Sequence, residues 1–192
     1  MRRPLIPMAA CGALAAAAVL GWFASPAAAH AIIDLDGVSA VAGTTSQMTL
    51  EVQHGCLPAE ATLRVDAFVG RPWRGVEPGA VPGWQTTVER LPQGGWHIAW
   101  TNLGPPIPFG TAIFFPIEVA WPSKAGTYAM RVTQQCTNGA SYDWNQQYFP
   151  ATADSPSPPL TPRPEVKVVS RAEASTANAQ PARPVHMNTH SH

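Results

Sequence analysis

The chain has few charged residues, and their signs balance. Lysine and arginine together number 12, as do aspartate and glutamate, so the formal net charge of the 192 residues is zero. Nucleic-acid binding depends on a basic face that neutralises phosphates, so this composition argues against a nucleic-acid partner.

Long hydrophobic runs are absent except at the start of the chain. One apolar run extends from about Met8 to Phe23, after Arg2-Arg3 and before the small-residue pattern Ala27-x-Ala29. A basic start, an apolar middle and a small-residue motif are the regions of a secretory signal peptide. We expect residues 1–29 to be cleaved, leaving a periplasmic or secreted chain without a membrane span.

Recognisable catalytic motifs are also absent. The sequence contains no serine nucleophile elbow, no glycine-rich loop that would cradle a phosphate and no convincing pair of carboxylates. The sequence therefore favours a binding protein over an enzyme.

Helical periodicity is lacking between about Ala31 and Pro150. Apolar residues instead alternate in, or fill, short segments separated by glycine and proline, which is typical of β-strands. The segments are 47–53, 61–69, 84–91, 96–101, 111–121, 127–136 and 141–149. Seven or eight strands at this spacing predict one all-β domain, an antiparallel β-sandwich of the immunoglobulin or cupredoxin-like kind.

Three features of this region carry more specific predictions. Pro92-Gln93-Gly94-Gly95 predicts a hairpin turn, because glycine adopts the positive φ that such turns need. The segment 111–121 is nearly all apolar and predicts the most buried strand. His97 alternates with its apolar neighbours and is expected on the solvent face of its strand.

The composition changes at Ala151. A proline-rich run over 154–159 leads into a segment rich in proline, alanine and serine, which lacks the apolar residues that build a core. We therefore predict a disordered tail over 151–192. The histidines of this tail are His186, His190 and His192. They predict a secondary site for copper or another divalent ion; the alternative is that they are exposed to solvent and have no function.

Cleavage after Ala29 makes His30 the first residue of the mature chain. Its free α-amine and imidazole Nδ1 can then close a chelate ring on one ion, and this nitrogen pair suits Cu(II). Processing creates the predicted site, because the same nitrogen is an amide in the precursor. The alternative is that a histidine at this position has no function.

Two of the three cysteines remain after cleavage, Cys56 and Cys136. Exported compartments are oxidising, so the pair is interpreted as a disulfide. The alternative is a thiolate copper site, which is disfavoured because neither cysteine has histidine and methionine neighbours of the blue-copper kind.

An ordered set of segments resembles the YcnI-like copper-binding domain of exported bacterial proteins. The set comprises His30 after the signal peptide, Val52-Gln53-His54-Gly55-Cys56, Pro82-Gly83-Trp84, Trp96 to Trp100, Gln135-Cys136-Thr137-Asn138-Gly139 and Trp144. The resemblance covers about residues 30–150. It implies a β-sandwich that binds one copper ion through a single-histidine brace, with a carboxylate and a tryptophan completing the site.

Carried over to this chain, the resemblance assigns the brace to His30 and the tryptophan to Trp144. This chain departs from the family pattern at the carboxylate ligand. Family members that use a glutamate have that residue at about the position where this chain has His54. Strand alternation places His54 on the face of Val52 and Glu51 on the other, so we favour His54 as the replacement ligand. The alternatives are a surface histidine for His54 and core packing for Trp144.

The sequence thus predicts an exported copper-binding protein, a periplasmic metallochaperone that takes Cu(II) at His30 and passes it to other copper-handling proteins. A CopC-like carrier uses a similar amino-terminal histidine, but the length of the chain and its His-Gly-Cys and Gln-Cys segments favour the YcnI-like interpretation. Two further alternatives are a copper-dependent oxidase or monooxygenase, with His54 as a second histidine ligand, and a metal-free structural sandwich.

Overall fold

The computed structural model of the chain describes residues 31–53, 55, 59–150, 152 and 161–179. Within them, 11 strands form two sheets that pack face to face, and one short helix comes after the last strand. The strands are β1 (Ala31–Asp34), β2 (Ala40–Val41), β3 (Thr45–Val52), β4 (Thr62–Val69), β5 (Gly75–Pro78), β6 (Trp84–Arg90), β7 (Trp96–Asn102), β8 (Ile113–Ala120), β9 (Gly126–Cys136), β10 (Ser141–Trp144) and β11 (Glu165–Val169), and the helix is α1 (Arg171–Ala179). The predicted all-β sandwich is confirmed.

Sheet A contains four antiparallel strands in the order β1-β3-β8-β5. Along β8, Phe115 and Ile117 are buried against the second sheet, whereas Phe114 is 54% exposed on the outer face. The prediction that 111–121 is the most buried strand is wrong, because β4 has more buried residues than β8 at the same length. Phe114 and Glu118 are exposed on the outer face of sheet A, so only alternate residues of this apolar segment enter the core.

Sheet B contains seven strands in the order β2-β11-β9-β4-β7-β6, with β10 pairing the carboxyl-terminal half of β9. The hairpin predicted between β6 and β7 is present. Gly94 and Gly95 have φ values of +85° and +95°, and the Gly94 N–H donates to the Leu91 carbonyl over 2.8 Å. A Cβ at Gly95 would clash with the Val69 carbonyl oxygen, so only glycine fits there.

Aromatic side chains fill much of the space between the sheets. Trp100 stacks on Phe115 with ring centroids 4.5 Å apart. Trp121 lies 5.6 Å from Trp73 and donates its indole N–H to Ser46 Oγ over 2.7 Å. Burial of each large apolar side chain contributes about 1.5–3 kcal/mol to stability.

The sandwich does not end at Pro150, so the prediction of a disordered tail over 151–192 is wrong for residues 161–179. β11 lies between β2 and β9, parallel to the first and antiparallel to the second. Val166 and Val168 alternate into the core, where they are 4% and 1% exposed. Burial of these apolar side chains orders β11, although the residues on either side of it have the composition of a linker.

The helix α1 begins with a capping box immediately after β11. The Glu173 N–H donates to Ser170 Oγ over 3.2 Å, and the Ser170 N–H donates to Glu173 Oε2 over 2.7 Å. In the described part of the chain, no helix is both long and apolar enough to cross a lipid bilayer. The predicted signal peptide at 1–29 and the histidines His186, His190 and His192 lie outside the described residues.

Candidate functional site

The first described residue, Ala31, begins β1 and is 2% exposed. It lies opposite Val52, the last residue of β3, in an antiparallel pair. The chain therefore enters β1 and leaves β3 at the same end of sheet A. The predicted ligands His30 and His54 lie outside the described residues, but they are covalently joined to Ala31 and Gln53 at that end.

Trp144 ends β10, opposite Val132, and is fully buried. Two residues further along, Gln146 forms a bridge with Pro162. Pro162 lines a cleft of about 320 Å³ together with Ala31. The segment after Trp144 is thus connected, through the Gln146–Pro162 bridge, to a cleft that Ala31 also lines.

We call this cleft the β1 cleft; its lining residues are Ala31, Ile32, Ile33, Tyr148, Pro162, Arg163, Pro164 and Glu165. Most of the lining is apolar. The charged exceptions neutralise each other, since Arg163 Nε lies 2.9 Å from Glu165 Oε1. Both side chains are about one-third exposed, so the pair stabilises the fold by at most about 1 kcal/mol.

A chain of hydrogen bonds lies behind Trp144. Its indole N–H donates to Gln134 Oε1 over 3.4 Å, and Gln134 Nε2 donates to Thr62 Oγ1 over 2.6 Å. All three side chains are fully buried. The sequence analysis predicted neither Gln134 nor Thr62. Strand alternation could have identified Gln134, because it is a polar residue at an inward position of β9, two residues after Val132.

Glu51 occupies the outer face of sheet A, as strand alternation predicts. It lies opposite Ile32 on one side and Phe114 on the other. Its neighbours Leu50 and Val52 are fully buried, whereas Glu51 is half-buried. Its carboxylate is therefore on the other side of the strand from the core that contains Trp144.

The described residues alone do not form a metal site. Across residues 31–179, outside the gaps given above, no group of three or more histidine, cysteine, aspartate or glutamate side chains could hold an ion. Trp144 contributes an indole, which is a poor donor when neutral and fits the wall of a site better than a ligand position. Cys136 is 2% exposed at the end of β9, opposite Thr62, and Cys56 lies outside the described residues.

His97 belongs to a separate polar cluster on the outer face of sheet B. Its Nε2 lies 2.8 Å from Asp66 Oδ1, and Arg64 Nη2 lies 2.6 Å from the same oxygen. The imidazole stacks on Phe68 with centroids 4.4 Å apart. The His97 side chain is only 18% exposed, so this outer position is less open to solvent than the sequence suggests.

These contacts shift the acidity of the cluster. Burial raises the pKa of the Asp66 carboxyl, but hydrogen bonds from Arg64 and His97, together with their charges, outweigh burial and hold that pKa below its ordinary value. The cluster faces away from the core and from Trp144, and the contact of His97 with Asp66 links β7 to β4.

The family model described as "Domain of unknown function (DUF1775)" matches residues 30–168. The chain belongs to this family. YcnI-like domains are known under the same family description, in agreement with the resemblance found in the sequence. The DUF1775 match extends through Val168 and so includes most of β11, beyond the boundary predicted at Pro150.

The DUF1775 domain is similar in structure to an uncharacterized protein from Nocardia farcinica that has an immunoglobulin-like fold. The two share 23% sequence identity with a TM-score of 0.61, over 73% of this chain and 98% of that chain. A cohesin module from a family 33 glycoside hydrolase of Clostridium perfringens is more distant, at 10% identity and a TM-score of 0.43, over 73% of this chain and 96% of that chain. None of the curated proteins matches the sequence. The first likeness establishes an immunoglobulin-like β-sandwich.

Proposed function

We propose that this DUF1775 domain is an exported copper carrier that takes up Cu(II) at His30 once residues 1–29 have been removed. The α-amine and Nδ1 of His30 chelate the ion, and the imidazole of His54 adds a further nitrogen. Trp144 forms an apolar wall beside the ion. The loaded protein passes the ion to another copper-handling protein of the periplasm or cell surface.

The pairing of Ala31 with Val52 is the observation that carries this proposal. His30 is one residue from Ala31, and His54 is two residues from Val52. A residue spans at most about 3.6 Å of extended chain, so both imidazoles are within reach of one ion at the end of sheet A. Nitrogen donors of this kind suit Cu(II) in a tetragonal arrangement.

The β1 cleft supports the placement of Trp144 in this site. Ala31 and Pro162 line the same cleft, and Pro162 bridges to Gln146, two residues after Trp144. The Arg163–Glu165 pair leaves the cleft without net charge. A Cu(II) ion beside the β1 cleft would therefore be held by nitrogen ligands rather than by nearby carboxylate charges.

The proposal requires that copper uptake depend on pH. A free α-amine titrates near pH 7.7–8.0 and must be neutral to bind a metal. Because Cu(II) displaces the proton of this amine, uptake releases protons and the affinity falls as the pH falls.

The test compares the mature chain starting at His30 with the same chain carrying an acetyl group on its α-amine. Acetylation keeps every side chain and removes only the amine ligand. We expect it to weaken Cu(II) binding by at least about tenfold, or 1.4 kcal/mol, in isothermal titration. A chain ending at Ala179 is the control, because it lacks the tail histidines and should keep the tight site.

Two results would contradict the proposal. Undiminished binding by the acetylated chain would show that the amine is not a ligand. Absence of a paramagnetic Cu(II) signal from the mature chain at one equivalent of copper would instead favour a metal-free structural sandwich.

A further inference from the structure

We propose that the loop between β7 and β8, residues 103–112, docks on the surface of a lipid bilayer. We call it the apolar loop; its sequence is Leu-Gly-Pro-Pro-Ile-Pro-Phe-Gly-Thr-Ala. This inference does not depend on copper binding, because it uses only the residues of the loop and those that hold it in place.

The apolar loop exposes large hydrophobic side chains to solvent. Leu103 is 68% exposed and Phe109 is 39% exposed. The prolines between them are exposed as well; they are Pro105, Pro106 and Pro108. A cluster of exposed apolar residues marks a contact with another protein or with a membrane. The charge and the backbone of the loop decide between these two partners.

The sequence around the apolar loop carries no formal charge. No aspartate, glutamate, lysine or arginine occurs between Arg90 and Glu118. Glu60 lies two residues before Thr62, which is bonded to the loop, but its carboxylate accepts a hydrogen bond from Thr137 Oγ1 over 2.6 Å. A surface without cations has no attraction for anionic headgroups. The surface that it fits is therefore a bilayer of zwitterionic lipid.

The backbone of the apolar loop offers few free hydrogen-bond donors. Three of its ten residues are prolines, which have no N–H. Four of the other N–H groups donate to acceptors within the protein over 2.8–3.2 Å; they are those of Leu103, Gly104, Ile107 and Thr111. A bilayer accepts backbone whose polar groups are already paired, whereas a protein strand that adds to a sheet edge needs free N–H groups. The loop therefore favours lipid over a protein strand.

The apolar loop is also held in one conformation before it docks. Asn102 Nδ2 donates to the Pro105 carbonyl over 2.6 Å, and Asn102 Oδ1 accepts the Gly104 N–H. Ile107 exchanges two backbone hydrogen bonds with Thr62, at the start of β4, over 2.8 and 3.0 Å. A preorganised loop loses little conformational freedom on binding, which favours even a small docking surface.

The test measures flotation of the mature chain with vesicles of phosphatidylcholine. Leu103→Glu and Phe109→Glu each place a charge in the apolar loop, whereas Leu103→Trp adds an indole, which prefers the membrane interface. Val38→Glu is the matched control. Val38 is 59% exposed and follows β1, whose last residue, Asp34, lies at the end of sheet A away from Ile113 and the loop.

We expect the wild type to bind the vesicles and both glutamate variants of the loop to lower its partition coefficient by at least about tenfold, because apolar burial is lost. Leu103→Trp should raise the coefficient, and Val38→Glu should leave it unchanged. Phosphatidylglycerol or added salt should change wild-type binding by less than about twofold, since the loop has no cation to contact the headgroups. Equal urea midpoints verify that the variants are folded.

Three results would overturn the proposal. One is absence of wild-type binding to phosphatidylcholine, and another is binding that requires phosphatidylglycerol, because headgroup charge would then be what the protein recognises. The third is an equal loss of binding in Val38→Glu. If the wild type does not bind vesicles but self-associates in sedimentation equilibrium, and Leu103→Glu abolishes that association, the apolar loop contacts a second copy of the chain and the lipid proposal is wrong.

Discussion

At the scale of single residues, Asp66 is the carboxylate most tightly held by the described fold. Its side chain is 7% exposed and receives hydrogen bonds from Arg64 and His97. An aspartate whose folded pKa is lowered stabilises the native state at every pH above its unfolded pKa. That contribution is lost as the pH falls from the ordinary value of 3.8 through the lower pKa of the folded protein.

We expect Asp66→Asn to lower the free energy of unfolding at pH 7 by about 2 kcal/mol, because buried hydrogen bonds to a charged group are lost. The variant should also lose less stability than the wild type between pH 5 and pH 2, roughly the range in which Asp66 is protonated. Urea unfolding over this pH range measures both effects.

Asp143→Asn provides the control for this prediction. Asp143 pairs with Arg131 over 2.9 Å, but both side chains are about half exposed. Its removal should change the stability by less than about 1 kcal/mol. An equal effect of the two substitutions would show that burial of Asp66 does not matter.

Contacts between such polar residues were the hardest feature to predict from the sequence. Alternation places His97 and Glu51 on outer faces, as observed, but it does not reveal which partners lie on neighbouring strands. The contact of His97 with Asp66 joins residues 31 positions apart, and that of Gln134 with Thr62 joins residues 72 positions apart. Such contacts depend on strand order, which hydrophobic periodicity does not specify.

At the scale of elements, the longer strands were predictable, as was the short strand β10 within the segment 141–149, whereas the other short strands were not. β3, β4 and β6–β9 each match a segment with a clear apolar pattern and flanking glycine or proline. β1 and β5 contain four residues each, too few for alternation to stand out. β11 was missed because its valines are embedded in a proline-rich and alanine-rich segment, although Val166 and Val168 alternate as strand residues do.

Truncation tests the role of β11. A mature chain ending at Pro164 loses the buried Val166 and Val168 and uncovers β2, so we expect its free energy of unfolding to fall by about 3–6 kcal/mol. A chain ending at Ser170 keeps β11 and loses only α1 and the residues after it; its stability should stay within about 1 kcal/mol of the wild type. Urea unfolding followed by tryptophan fluorescence compares them. Equal stability of the two chains would contradict the assignment of β11 to the core.

At the scale of the whole molecule, the predicted Cys56–Cys136 disulfide would close a long loop. In the chain-entropy model such a closure stabilises the fold by about 4 kcal/mol. We expect peptide mapping without reductant to recover the two cysteines joined, and Cys56→Ser and Cys136→Ser each to lower the free energy of unfolding by up to that amount. Two titratable thiols in the unfolded mature protein, without reductant, would contradict the pairing.

The sandwich itself followed from the sequence, because its apolar segments are short, end at glycine or proline and leave polar residues between them. The site followed less completely. The composition and the cleavage motif indicate His30, and the resemblance indicates Trp144. The contacts that connect the segment after Trp144 with the cleft at β1 pass through Gln146 and Pro162. Those residues have no distinctive pattern in the sequence.

The central claim is that the processed chain begins at His30 and holds Cu(II) through that residue. The most direct measurement is a crystal structure of the copper-loaded mature protein, with its amino terminus verified by mass spectrometry and the metal located by anomalous scattering. We expect one copper peak bonded to the α-amine and Nδ1 of His30, at the end of sheet A beside Trp144. A copper peak only at the carboxyl-terminal histidines, or a mature chain that starts at another residue, would contradict the claim.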